Sequence, residues 1–262
     1  MLKRLLIIIP LVILSIFLSC VGIISLNYVP PILMYHSVDF TVPPESRLVV
    51  SVDSFERQMR FFKEHHYNVI PLETLALMIK EKKKIPAKTV VLTFDDGNKD
   101  NFTHAFPILK KYNFCATMFV IIDELGRPQG DKMSWQDLLV MRDSGLIDIG
   151  SHTLGPEPLI DITSEEEVKR QIFESKKILE ERLGQPVIAF SYPQGRFTPL
   201  IKEWVKEAGY QVAVVTNPGK KLPNDDVLAL KRLRISSTSD NLFVFWIESS
   251  GYYNFIREHR CK

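Results

Sequence analysis

The chain has 262 residues, of which 45% are apolar and 24% are charged, and its formal net charge is +2 at pH 7. These values are typical of a globular protein and exclude a disordered, collagen-like or coiled-coil chain. The nearly balanced charge gives no signal for binding a polyanion, so nucleic acid is not an expected partner. Three cysteines are too few for a disulfide framework.

The chain begins with a long apolar run. Lys3 and Arg4 precede 22 uncharged residues, Leu5 to Leu26, and a helix that spans a bilayer needs about 20. The two cations place the N-terminus in the cytoplasm and the rest of the chain outside it. Three fates stay open: an uncleaved anchor, which the apolar residues continuing to Leu26 favour, a cleaved signal peptide, and a lipoprotein acylated at Cys20. We therefore expect a membrane or signal segment over residues 1–29 and an extracytoplasmic domain over residues 30–262.

Strand-like and helix-like patterns alternate through the domain. We predict six strands, at Ile32–Tyr35, Val90–Phe94, Ala116–Ile122, Leu146–Gly150, Ala189–Tyr192 and Val212–Val215. We predict six helices, at Ser54–Glu64, Leu72–Lys80, Ala105–Tyr112, Trp135–Ser144, Ser164–Leu183 and Pro199–Ala208. Short apolar strands that alternate with helices indicate βα units and a parallel sheet. Six or seven such units favour a closed or nearly closed barrel, which the apolar segment around Phe243 and Trp246 would help to close.

Polar residues follow four of the predicted strands directly. They are His36 after the first strand, Asp95-Asp96-Gly97 after the second, Ser151-His152-Thr153 after the fourth and Pro193-Gln194-Gly195 after the fifth. In a barrel of parallel strands the reactive groups collect at the carboxyl ends of the strands. The sequence therefore predicts one rim that carries an acid pair, two histidines and a tight turn.

The acid pair Asp95-Asp96 is the most informative of these motifs. A surface turn is the simplest interpretation of Asp-Asp-Gly, but here the pair ends a strand that has a buried composition. Adjacent carboxylates repel each other unless they share a cation or a proton. Successive residues point to different sides, so one carboxylate can bind a metal while the other accepts a proton from water.

The motifs, taken together, resemble those of the NodB-homology polysaccharide deacetylases, carbohydrate esterase family four. Thr93–Gly97 resembles the first motif of that family, Ser151–Thr153 the start of the second, and Tyr192–Gly195 a form of the third. The resemblance runs in order from about residue 30 to about residue 240. The Tyr35-His36 pair before the acid pair is similar to the circularly permuted branch, which includes the poly-β-1,6-N-acetylglucosamine deacetylases.

The resemblance implies both a fold and a set of catalytic roles. The implied fold is α/β, a distorted (β/α)7 barrel with outer helices. Asp95 would be the general base toward the attacking water, and His36 the general acid toward the leaving amine. The backbone N–H of Gln194 would help to stabilise the oxyanion, and Arg232 would orient the catalytic carboxylate.

The resemblance also implies a divalent metal, zinc in the first place, held by Asp96 and His152. In the family the second motif usually reads Ser-His-Thr-x-x-His-Pro-x-Leu, but here Pro156 occupies the place of its second histidine. Catalytic zinc normally has three protein ligands, so two ligands predict much weaker binding or none. Glu157, next to the gap, is the candidate for a substitute ligand.

Two functions therefore compete at this point. The first is a membrane-tethered, metal-dependent hydrolase that removes N-acetyl groups from an extracellular or cell-wall amino-sugar polysaccharide. The second is a degenerate, metal-deficient fold that binds glycan without turnover, which Pro156 favours. Both predict a polysaccharide ligand, contact with the membrane through the N-terminal segment, and a monomer.

Overall fold

The structure is a computed structural model that describes residues 28–43, 46–216 and 224–253. The predicted membrane segment falls almost entirely outside these residues, as does Cys20. Within the described ranges, no helix combines the length and the apolar character needed to cross a membrane.

Parallel strands form a ring at the centre of the domain. The ring contains β1 (Ile32–Tyr35), β5 (Thr89–Phe94), β6 (Ala116–Val120), β7 (Ile147–Ser151), β8 (Ala189–Ser191) and β9 (Val212–Val215). Three short strands lie beside it: β2 (Ser37–Asp39) pairs with β3 (Val49–Ser51), and β4 (Asn68–Val69) pairs with β5. The six predicted strands are all present, with ends that differ from the prediction by no more than two residues.

The ring closes through one extended segment that is interrupted at Arg232. Its first half, β10 (Leu230–Lys231), pairs in parallel with β9. Its second half, β11 (Leu233–Arg234), pairs in parallel with β1. This segment completes a nearly closed parallel barrel of seven members. The expectation that the apolar C-terminal segment closes the barrel is wrong, because Phe243 and Trp246 lie on a helix outside it.

Seven α-helices accompany the described strands. They are α1 (Val52–Glu64), α2 (Leu72–Lys80), α3 (Phe106–Tyr112), α4 (Trp135–Asp143), α5 (Glu165–Leu183), α6 (Pro199–Glu207) and α7 (Leu242–Ser249). Their starts follow ordinary capping chemistry: the side chains of Ser51, Ser134, Ser164 and Thr198 each accept a backbone N–H in the first turn. The six predicted helices are present, and α7 is additional.

Two apolar layers explain why the cavity opens at one end of the ring. The outer faces of the strands pack against the surrounding helices. The inner layer joins the first residues of several strands to α2, which fills the end of the ring where the strands begin; its members include Ile32, Ala189, Val212, Leu230, Leu72, Leu75 and Ala76. The opposite end, where the strands finish, is left for polar side chains.

Candidate active site

A cavity of about 500 Å³ opens at the carboxyl ends of the strands. Five of the seven predicted site residues line it: His36, Asp95, Asp96, His152 and Gln194. The remaining lining residues are Met34, Leu48, Ile121, Glu124, Lys132, Pro156, Pro193, Thr216 and Arg234. The rim predicted from the strand ends therefore exists as a single site.

Asp95 and Arg232 form a buried ion pair at the base of this cavity. Their side chains are 1% and 0% exposed. Arg232 donates from Nη1 to Asp95 Oδ1 at 2.7 Å and from Nη2 to Asp95 Oδ2 at 2.6 Å. A guanidinium that donates to both carboxylate oxygens fixes the plane of the carboxylate. The orienting role that the resemblance implies for Arg232 stays a prediction.

The other donors of Arg232 tie this pair to the barrel wall. They reach the Thr93 hydroxyl at 3.1 Å, the Ser191 hydroxyl at 3.0 Å and the Val215 carbonyl at 3.2 Å. Burial alone raises the pKa of Asp95, but the Arg232 guanidinium opposes it and, together with His152 and His36, holds the pKa at about 2. Asp95 is therefore a carboxylate at neutral pH, and its basicity is low.

Asp96 and His152 lie next to each other in the wall of the cavity. His152 Nε2 lies 3.6 Å from Asp96 Oδ1. His152 Nδ1 lies 2.8 Å from the Ser191 carbonyl oxygen, and since a carbonyl only accepts, Nδ1 is the donor in this bond. In the neutral ring Nε2 then has a lone pair directed toward a carboxylate oxygen. His152 Nε2 and Asp96 Oδ1 are then two acceptors that face each other, an arrangement that favours a proton or a cation between them. A metal-binding histidine usually donates from its other ring nitrogen in the way that Nδ1 does here.

The donor set is incomplete for a catalytic zinc site. Pro156 lines the cavity where the third ligand is expected, and it has no ligating atom. Glu157 is exposed and is absent from the cavity lining. Across the described ranges, no three His, Cys, Asp or Glu side chains are grouped closely enough to hold a metal ion. Asp96 and His152 thus supply two protein ligands, whereas a catalytic zinc site normally has three.

His36 lies at the end of β1 beside the two carboxylates. Burial lowers the pKa of its imidazole, while Asp95 and Asp96 oppose that shift. Its backbone carbonyl accepts from the side-chain amides of Asn98 and Asn101 at 3.0 and 2.9 Å. Its Nδ1 is buried and has no hydrogen-bond partner among the described residues. His36 is therefore neutral at rest and firmly held by its backbone.

Lys132 and Glu124 also belong to the site, and our interpretation of the sequence missed both. Lys132 donates to the Asp96 carbonyl at 3.0 Å and to Asn98 Oδ1 at 2.9 Å, and its Nζ lies 2.9 Å from Glu124 Oε2. These contacts hold the turn that carries the acid pair. Lys132 lies just before the helix predicted to begin at Trp135, which was the available signal. Nothing in the sequence marked Glu124.

Strained backbone marks three of the motifs. Asp96, Thr153 and Gln194 have φ values of 72°, 70° and 54°, a region that residues other than glycine seldom adopt. Each one lies two or three residues after the end of a strand that leads to the cavity. Backbone strain that persists at several adjacent positions is typical of functional sites, where the surrounding structure holds it in place.

The turn after β8 depends on Gly195, which gives a prediction about stability. Gly195 has a φ of 68°, and an added Cβ would lie 2.4 Å from the backbone N of Thr216. Gly184, which ends α5, has a similar φ of 65° but open space around it. We expect Gly184→Ala to cost about 1–2 kcal/mol for the left-handed backbone alone. Gly195→Ala should cost about 1–3 kcal/mol more because of the overlap.

Urea unfolding of the two variants measures this difference. Equal losses of stability in Gly184→Ala and Gly195→Ala would show that the turn shifts freely, and that the 2.4 Å approach to Thr216 does not constrain it.

The geometry defines a barrel enzyme whose reactive side chains lie at the carboxyl ends of parallel strands. Comparison with known proteins then identifies its class. Residues 82–213 match the family model described as polysaccharide deacetylase. YxkH of Bacillus subtilis (strain 168), whose name assigns it to the polysaccharide deacetylases, is 33% identical over 220 residues, which are 84% of this chain and 76% of that protein. The chain belongs to the polysaccharide deacetylase family and is an enzyme of that class, acting on amide bonds.

Two further comparisons cover most of the domain. The poly-beta-1,6-N-acetyl-D-glucosamine N-deacetylase of Staphylococcus aureus (strain MRSA252) is 27% identical over 208 residues, which are 75% of this chain and 71% of that protein. The structure of the Streptococcus pyogenes deacetylase PplD in complex with acetate superposes with a TM-score of 0.72 at 29% identity, covering 81% of this chain and 96% of that chain. The barrel architecture is thus shared with a deacetylase of known structure.

Proposed function

We propose that this enzyme removes N-acetyl groups from an amino-sugar polysaccharide outside the cytoplasmic membrane. The observation that carries the proposal is the convergence of His36, Asp95, Asp96 and His152 on one cavity at the strand ends. The names of two relatives support the substrate and the product, since one is an N-deacetylase of poly-β-1,6-N-acetylglucosamine and the other was solved with acetate.

Proton transfer in this reaction rests on Asp95 and His36. Water attacks the acetyl carbonyl, the C–N bond breaks, and the products are acetate and a free amine. The attacking water loses a proton and the leaving nitrogen gains one. Asp95 is a weak base with a pKa of about 2, and His36 is neutral at rest. The attacking water, held beside Asp95, gives up a proton, and this proton moves to the neutral imidazole of His36. The protonated His36 then acts as the general acid that protonates the leaving amine.

The remaining site residues position the carbonyl and the carboxylate. Arg232 holds Asp95 in one plane. Gln194 lines the cavity in a left-handed turn next to Pro193, where its backbone N–H is the proposed oxyanion donor. Preorganised donors of this kind contribute because they need no reorganisation as negative charge develops.

Metal dependence is proposed in a weakened form. Asp96 and His152 supply two protein ligands, and Pro156 supplies none. We therefore infer that zinc or another divalent ion binds this chain more weakly than it binds a three-ligand site. Glu157 is not part of this proposal, because its side chain does not line the cavity.

The place of action is proposed from the first 26 residues. Lys3 and Arg4 followed by the uncharged run Leu5 to Leu26 have the pattern of a segment that carries the domain across the cytoplasmic membrane. Retention, cleavage and lipidation at Cys20 each place the catalytic domain among extracytoplasmic glycans. A monomeric state stays a prediction.

Acetate release by the purified full chain tests the function. We expect release from poly-β-1,6-N-acetylglucosamine or chitooligosaccharides, with and without added Zn²⁺ or Co²⁺. Asp95→Asn should lower kcat/KM by about 10²–10⁴-fold, because a positioned proton-transfer group contributes that much. The matched control is Asp143→Asn, at a largely exposed aspartate that pairs with its neighbour Arg142. An Asp95→Asn variant as active as wild type would remove Asp95 from the mechanism.

Glycan binding without turnover is the second candidate, and Pro156 is the observation that favours it. It predicts saturable binding of the same oligosaccharides by the full chain, with no acetate released in the presence of any divalent metal. Detecting acetate that depends on Asp95 would exclude it.

A further inference from the structure

Helix α7 has an apolar face that is exposed in the part of the chain that the structure describes. Leu242, Phe243 and Trp246 are 38%, 64% and 48% exposed, and the spacing of three to four residues places them on one side of the helix. The opposite side is anchored, since the Phe245 ring lies 5.0 Å from that of Phe62. The ring centroids of Phe243 and Trp246 are 5.7 Å apart, so these two side chains pack together. We call the three exposed side chains Leu242, Phe243 and Trp246 the α7 face.

The α7 face lies close to the point where the N-terminal run joins the domain. The backbone N–H of Val29 donates to the carbonyl of Gly251 at 2.9 Å. The ring of Tyr28 contacts that of Tyr252 edge-on, with centroids 5.6 Å apart. Gly251 follows the end of α7 by only two residues. Leu26, the last residue of the uncharged run, precedes Tyr28 by two residues in the sequence.

The chemistry of the flanking segments points to one occupant. Tyr and Trp are enriched where a protein meets the membrane interface, because their rings are apolar and their polar atoms reach water. Trp246, Tyr252 and Tyr253 all lie in this short C-terminal stretch. The tail over residues 254–262 contains Arg257, Arg260 and Lys262 against Glu258, a basic excess suited to anionic lipid headgroups.

We propose that the α7 face rests in the headgroup region of an anionic bilayer, beside the segment that tethers the chain. This inference rests on the proposed tethering by residues 5–26. Docking would leave the cavity accessible: the Tyr28 hydroxyl donates to the carbonyl of Thr89, the first residue of β5, whereas the cavity opens where β5 ends. The tethered end and the catalytic end of the barrel are therefore opposite.

Fluorescence quenching in the full chain tests the proposal. The chain has three tryptophans, Trp135, Trp204 and Trp246. We expect vesicles of phosphatidylglycerol and phosphatidylcholine with brominated acyl chains to quench Trp246 in the reconstituted chain, so that Trp246→Phe removes the quenched component. Phe243→Ser should lower the docking equilibrium constant by about tenfold, since a buried Phe side chain contributes on that scale. The matched control is Phe173→Ser, at a position 38% exposed on α5.

The outcomes separate the face from the tether. A chain that stays with the vesicles while Trp246 is unquenched overturns the α7 face and leaves the tether standing. A chain that does not bind the vesicles overturns both. A dimer in detergent that Phe243→Ser dissociates would identify a second copy as the occupant, and would also overturn the proposal.

Discussion

Replacing Arg232 by methionine is expected to lower the free energy of unfolding by about 3–5 kcal/mol, because removing one partner of a buried ion pair leaves the other charge uncompensated. The abandoned charge is the Asp95 carboxylate, which is 1% exposed and takes two of the Arg232 donors. The same change should abolish measurable deacetylation, since the Asp95 carboxylate loses both its fixed orientation and the guanidinium that lowers its pKa. We expect this to be the largest single effect on stability at the site.

The pH dependence of the loss distinguishes this cause from a simple packing defect. In the wild-type chain the folded pKa of Asp95 is about 2, below the ordinary value of 3.8, so its stabilisation is present above pH 3.8 and is lost as pH falls through about 2. In Arg232→Met, burial raises the folded pKa of Asp95 above the unfolded value. The penalty is then present at neutral pH and decreases as the carboxyl group takes up a proton.

Urea unfolding of the detergent-solubilised chain at pH 7 and pH 4 measures both features. The deficit of Arg232→Met should be clearly smaller at pH 4. Adding Asp95→Asn to the variant should recover part of the stability at pH 7 without restoring activity. Arg234→Met is the matched control, because Arg234 is two residues further along the same segment and is exposed. A deficit independent of pH would mean that lost packing, and not an unpaired charge, is the cause.

The segment around Arg232, which closes the barrel, is the part of the fold that could not be predicted from the sequence. Apolar runs such as Ile32–Tyr35 and Val212–Val215 are visible as strands because every residue in them is buried. The closing segment is different: β10 and β11 have two residues each, and a charged residue separates them. No periodicity marks such a segment, so the prediction sought closure further on, in the apolar residues of α7.

The candidate site was also predictable only in part, namely where its residues follow directly from the positions of the strands. Because parallel strands bring their carboxyl ends to one rim, His36, Asp95 and His152 could be grouped from strand positions alone. Contacts between distant loops could not be grouped in this way. The clamp of Lys132 on the carbonyl of Asp96 joins residues 36 positions apart, and the exposure of Glu157 depends on the path of its loop.

The second large effect that we expect is a gain of zinc affinity on replacing Pro156 by histidine. Pro156 is on the same loop as Glu157 and already lines the cavity. A histidine at this position would add an imidazole to the Asp96 carboxylate and the His152 imidazole, and so complete the three protein ligands of a catalytic zinc site. His152 needs no change, since its Nδ1 already has the Ser191 carbonyl as its partner. Pro156 is exposed, so the substitution leaves no cavity in the core.

We therefore expect Pro156→His to bind Zn²⁺ at least about a hundredfold more tightly than the wild-type chain, which corresponds to about 2.8 kcal/mol. Calorimetric titration of both proteins with Zn²⁺ measures the difference, and the visible spectrum of the Co²⁺ form reports the coordination geometry. Pro156→Gln, which removes the proline without adding an imidazole, should bind as weakly as wild type. Equal zinc affinity in Pro156→His and Pro156→Gln would show that position 156 cannot reach the metal. In that case the low metal affinity proposed for this deacetylase would need a cause other than the missing histidine.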